Sequence, residues 1–196
     1  MKKLIALLLI LMCTFALTFC TKNTCPEDLP EVLPENVVGD PAEDDFEEDT
    51  SGDISFDATL YFPDTQALYL HPSEYTFGID TNVQTKEVAI LEALFDGPGF
   101  DHLAPSLEGE DLINSVTVDE NGLCTIDFKK DFVLLNTGGS SRESFALGSI
   151  VNSLCSLDYI NSVKINIDGD TAHEFGHTTL DMILVPQTDL IAKEVE

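Results

Sequence analysis

Ser140 to Asp170 run SSRESFALGSIVNSLCSLDYINSVKINIDGD. Leu147, Ile150, Val151 and Leu154 fall at i, i+3, i+4 and i+7, with Phe145 and Leu157 at the flanks, which draws one apolar stripe along a helix. Ser140 and Glu143 have the spacing of a capping box, in which each side chain satisfies a backbone N–H left over at the helix start. Val163, Ile165 and Ile167 then alternate with Lys164, Asn166 and Asp168, the period-two pattern of a half-buried strand. Asp168-Gly169 signals the turn that ends it. A helix, a short connection, a strand and a tight turn are therefore expected, in a unit built to pack.

Working outward, the preceding segment supplies a hairpin. Val116 and Val118 mark one strand, Asn121-Gly122 the turn, and Cys124, Ile126 and Phe128 the partner. Asn136 to Ser140 is expected as a polar loop. Earlier still, Val88, Leu91, Leu94 and Phe95 lie at helical spacing, and Gly97-Pro98 ends that helix, because glycine suits a left-handed cap and proline forbids continuation. Ala58 to Phe62 and Ala67 to His71 read as two strands around a Pro63–Gln66 turn. Beyond the central stretch, Leu180, Met182 and Leu184 alternate as in a strand. The expected order is β-β-α-β-β-α-β-β: an α+β fold, one domain, with two helices packed on a mainly antiparallel or mixed sheet. Its bounds are 56–186, with a tail at 187–196.

Composition narrows the classes of function. The 196 residues carry 36 acidic against 9 basic side chains, a net charge of −27. Nucleic acid and anionic lipid surfaces both require clustered Lys and Arg, so nucleic-acid binding is set aside. The charge is uneven. Twelve acidic residues lie between Glu27 and Asp53, with prolines at 26, 30, 34 and 41. Such a stretch has too little apolar surface to offset the entropy of ordering, so residues 21–55 are expected to be an extended, self-repelling tether.

Residues 1–20 have the make-up of an export signal, Lys2 and Lys3 followed by an uncharged run from Leu4 to Phe19. Leu17-Thr18-Phe19-Cys20 resembles the lipobox of bacterial lipoproteins, in which cleavage precedes a lipidated cysteine. Cys20 is the lipidation candidate. Phe19 stands where Gly, Ala or Ser is usual, and an uncleaved anchor helix is the alternative. Either places the domain on the extracytoplasmic face of the cell membrane. Cys25, Cys124 and Cys155 match no zinc or C-x-x-C spacing. Cys124 and Cys155 are expected as core thiols, with a bridge between them left open.

Four segments carry a family resemblance. Leu60-Tyr61-Phe62-Pro63, Leu91 to Pro98 (LEALFDGP), Thr125 to Phe132 (TIDFKKDF), and Ala146 to Leu154 with Val163 to Gly169 occur in the order and spacing of the GerMN domain, the module of the spore-germination and sporulation GerM family. Gly176-His177 with Leu180-Asp181 resembles its ending. The resemblance implies a non-enzymatic α+β assembly or interaction domain of envelope lipoproteins. It also implies no cofactor, and partners among other envelope proteins or further copies of itself.

One motif points elsewhere. His173-Glu174-Phe175-Gly176-His177 is a complete H-E-x-x-H. On a helix its histidines would converge on one zinc and Glu174 would polarise the bound water, as in a metallopeptidase. On a strand the same residues stand about 13 Å apart, at about 3.3 Å per residue, and share no metal. The Asp168-Gly169 turn before it and the alternation after it favour the strand, as do the weak helix formers Thr171, Thr178 and Thr179. In the extended metallopeptidase motif the next Gly and His would fall at Leu180 and Ile183. No catalytic residue is therefore assigned, and the zinc peptidase stays as an alternative on His173, Glu174 and His177. Gly138 to Arg142 could cradle an anion at a helix start, although a simple cap explains the same residues. An envelope ligand-binding or peptidoglycan-binding module is the remaining alternative.

Overall fold

A computed structural model describes residues 52–193, Ala172 excepted. The leader, Cys20, Cys25 and nearly all of the acidic stretch lie outside the described residues.

The chain opens with a long antiparallel hairpin, β1 (Asp53–Pro63) and β2 (Leu70–Asp80). Asp64 organises its turn by accepting the N–H groups of Gln66, Leu68 and Tyr69 on its carboxylate. Helix α1 (Lys86–Asp96) follows, capped by Thr85 and closed by Gly97 at φ 84°. A second hairpin, β3 (Ile113–Val118) and β4 (Leu123–Phe128), leads through α2 (Asp131–Asn136) and α3 (Ser140–Leu154) to β5 (Ser162–Ile167), which lies parallel to β4. The sheet β3-β4-β5 is thus mixed. A small hairpin, β6 (Glu174–Phe175) and β7 (Thr178–Thr179), and a 3-10 turn (Thr188–Leu190) complete the order.

Helix α3 is central. Its predicted stripe of Leu147, Ile150, Val151 and Leu154 is buried, together with Leu60 and Phe62 of β1, Ile90 and Leu94 of α1, and Val163, Ile165 and Ile167 of β5. The helix also completes an open strand edge. The N–H of Tyr61 donates to Ser153 Oγ at 2.9 Å, and that of Thr59 to Ser156 Oγ at 3.1 Å. Backbone donors that another strand would normally satisfy are met by serines at the end of a helix.

The α+β class and the order of the main elements follow the sequence expectation. The opening hairpin is longer than expected: Asp53 to Ser55, read as tether, join β1, and the second strand runs Leu70–Asp80 rather than from Ala67 to His71. Four further differences stand out. First, there are three helices, because α2 forms over 131–136 and leaves 137–139 of the expected polar loop before α3. Phe132 drives this turn into the core, where it stacks on Phe128 (centroids 4.0 Å, 6°) and on Phe175 (5.5 Å, 16°). Asn136, at its end, is buried: Oδ1 accepts the Glu108 N–H, and Nδ2 donates to the Glu108 and Phe132 carbonyls. Second, the strand expected over 180–184 shortens to a single bridge. Leu184 exchanges both backbone bonds with Val163, at 2.8 and 2.9 Å, and extends the mixed sheet past β5.

Third, residues beyond 186 are tied to the domain. Gln187 exchanges two hydrogen bonds with the Asn152 side chain, and the Ala192 N–H donates to the Leu70 carbonyl. Gly148 makes room for this docking, since a Cβ there would stand 3.0 Å from side-chain carbons of both Leu190 and Leu70. Fourth, the capping box is one-sided. Glu143 reaches back to the N–H groups of Gly138 and Gly139, whereas Ser140 lies inside the first turn and its side chain caps nothing.

Candidate functional site

The H-E-x-x-H segment is the sequence feature with the sharpest chemical implication, and its backbone is a hairpin. Glu174 and Phe175 pair with Thr179 and Thr178, and Gly176-His177 forms the turn. Alternation sends Phe175 into the core and leaves Glu174 exposed. The His173 carbonyl accepts the Leu180 N–H, and its ring Nδ1 lies 2.9 Å from the Glu174 carbonyl oxygen. The helical turn that would converge both imidazoles is absent from this segment, as the weak helix formers around it suggested. Among the described residues no group of three or more His, Cys, Asp or Glu side chains is placed to hold a metal ion.

His177 does have a partner, but it comes from α3. Its N–H donates to Glu143 Oε2 at 2.9 Å, and its ring Nδ1 lies 3.1 Å from the same oxygen. Glu143 is buried at the start of α3 and also accepts the Gly138 and Gly139 N–H groups. The His177 N–H bond, reinforced by the ring and the two glycine donors, holds its carboxyl down at about 2, against the 4.5 ordinary for glutamate. Gly176 permits this approach. Its φ is 60°, and a Cβ there would meet Glu143 Oε1 at 1.9 Å.

This geometry also answers the anion-cradle reading of Gly138 to Arg142. The anion at the helix start is supplied internally, by Glu143. Arg142 is engaged as well, pairing with the Glu108 carboxylate at 2.9 Å and donating to the Leu135 carbonyl at 3.1 Å. Asn136 and Arg142 thus both hold the Glu108 loop against the α2–α3 junction. Sequence reasoning missed the Glu143–His177 link. The available signal was Gly176, a glycine without an obvious turn motif around it.

The two predicted core thiols are thiols in the structure, Cys124 buried and Cys155 half-buried. Burial pushes Cys124 up to about 12, and Cys155 up to about 11. Both are therefore protonated and poor nucleophiles at neutral pH.

A sheet edge and several large apolar side chains also face solvent. Ile183 and Val185 flank the Leu184 bridge and are 57% and 59% exposed. On the opposite side of the same sheet, β3 is a terminal strand. Among the described residues no helix is long and apolar enough to cross a membrane.

A mixed sheet and a hairpin joined through one central helix define an α+β domain. Residues 59–173 match the family model Germane, described as sporulation and spore germination, and the chain belongs to that family, with a domain of the GerMN type. Among solved structures, a Clostridium perfringens protein described as a candidate lipoprotein is 20% identical over 72% of this chain and 94% of its own, with a TM-score of 0.47. The tandem GerMN domains of the sporulation protein GerM from Bacillus subtilis are 17% identical over 71% of this chain, at 0.48; the match spans 46% of that tandem. The first GerMN domain of the same protein is 18% identical over 70% of this chain and 98% of its own, at 0.45. No curated protein matches.

Proposed function

We propose that this protein is a non-catalytic interaction module of the bacterial envelope, working in sporulation or spore germination. It is held on the outer face of the membrane through Cys20 and contacts other envelope proteins or further copies of itself. Family membership supports the setting. The observation that carries the interaction role is the exposure of Ile183 and Val185 beside a segment whose neighbour Leu184 is locked into the sheet. Apolar side chains held rigidly outward suit a binding face, because they lose little freedom when covered. The lipid tether rests on the Leu17–Cys20 stretch and the apolar run before it.

The test uses the full chain in its own cell. A photo-crosslinking residue replaces Ile183 or, separately, Val185, and Cys20→Ser is examined in parallel with a clickable fatty acid. Discrete crosslinked products that vanish in the Ile183→Asp/Val185→Asp double variant are expected, as is loss of lipid label and membrane retention in Cys20→Ser. Crosslinking to nothing at either position would remove the binding face, and a lipid label that survives Cys20→Ser would remove the anchor.

A further inference from the structure

The outer edge of β3 borders a groove whose other wall is α1. Asp119 N–H donates to the Leu123 carbonyl, which sets the hydrogen-bond alternation along the β3–β4 pair. In that phase Thr117 faces β4, while the N–H and C=O groups of Val116 and Val118 point away from it. Among the described residues no strand of the sheet lies beyond them. Val88 and Phe95 of α1 face Ile113 and Val116 across a groove of about 430 Å³. Phe95 is anchored from below, edge-on to Phe128 at 6.2 Å.

An open strand edge facing a helix across a trough lined by both apolar and acidic side chains is a geometry that takes up an added strand. Backbone groups supply the bonds, and alternate side chains enter the trough. Its rim selects the occupant. Glu92, Asp96 and Glu110 line the groove, and the cation beside it, Lys129, is already bound to Asp111 at 2.8 Å. A second copy would set the same carboxylates against each other, and the acidic stretch before residue 53 would be repelled for the same reason. A segment carrying Lys or Arg next to apolar residues complements both floor and rim.

We propose that the edge of β3 and the groove beside α1 form a strand-addition site for an extended, lysine- or arginine-bearing segment of another protein. The inference rests on the interaction-module reading and names the kind of partner one face would take.

The full chain in detergent micelles is titrated with a short capped peptide alternating lysine and valine. Controls are its glutamate counterpart and a version N-methylated along one edge. On saturation, hydrogen exchange at the Val116 and Val118 amides slows by roughly tenfold or more, as expected for newly bonded edge groups. N-methylation, added salt and the rim variant Glu92→Lys/Asp96→Lys each weaken binding by roughly tenfold. Val116→Pro removes one outward donor while leaving the β4 ladder its bonds, and it weakens binding likewise. Equal affinity for the glutamate peptide, indifference to N-methylation, unprotected Val116 and Val118 amides, or no binding would each overturn the site. If the peptide fails while crosslinks from Ile183 persist, the strand-addition site falls and the interaction role stands; if those crosslinks also fail, both fall.

Discussion

The carboxylate of Glu143 accepts the backbone N–H of His177, 34 residues away, at 2.9 Å. One buried side chain thereby joins the start of α3 to the turn of the β6–β7 hairpin. The chain belongs to the sporulation and spore-germination family Germane, and this bond shows how the final hairpin is held to its GerMN-type domain.

Replacing Glu143 by Ala should destabilise the domain, since the N–H groups of Gly138, Gly139 and His177 would all lose their acceptor. His177→Ala keeps the backbone bond and should change stability by no more than about 0.5 kcal/mol, the ring being largely exposed. Urea unfolding of the two variants makes the comparison.

The same carboxylate predicts an acid dependence. Below 4.5 the unfolded chain protonates Glu143, while the folded chain keeps it ionised down to about 2. Its contribution is therefore complete above 4.5, declines as the pH falls through that window, and is gone below about 2. The stability gap between wild type and Glu143→Ala should narrow across that range, as followed by denaturation at a series of pH values.

The H-E-x-x-H segment should behave as a packed hairpin. Phe175→Ala removes a fully buried ring from the Phe132 stack and should cost about 3–5 kcal/mol. His173→Ala should stay within about 0.5 kcal/mol. Thermal melts should be the same with zinc or with a chelator; a zinc-dependent rise lost in both histidine variants would restore the metallopeptidase reading.

Ser153→Ala removes the acceptor of the Tyr61 N–H, at a cost of about 1–3 kcal/mol. Hydrogen exchange should show the Tyr61 amide losing protection while the β4–β5 amides keep theirs. An unchanged Tyr61 rate would mean that the edge is satisfied in another way.

Cys124 and Cys155 should resist alkylation. A pKa near 11 in place of 9.0 lowers the thiolate fraction of Cys155 by about two orders of magnitude at pH 8. Cys124, deeper and near 12, should react more slowly still. Site-resolved mass spectrometry of iodoacetamide adducts, native against urea-unfolded, reads both.

The amino-acid sequence determined what depends on neighbours. The α3 stripe and the β5 alternation could be read because helix and strand periods repeat within a few residues, and the Asp168-Gly169 turn because both residues adopt positive φ, 48° and 80°. The strand character of H-E-x-x-H was legible too, from the threonines and the turn before it. Helix α2 was not: six residues are too few to display a period, and Phe132 and Asn136 commit to it only through Phe128, Phe175 and Glu108. Only the tertiary structure decided that α3 and the turn after it would offer Ser153 and Ser156 to the edge of β1 and that Asn152 would hold Gln187. It also decided that Glu143 would hold the His177 N–H of the final hairpin. Each of these joins residues more than thirty apart, and a donor's partner at that distance is set by where the packed core brings the chain, which no local pattern encodes.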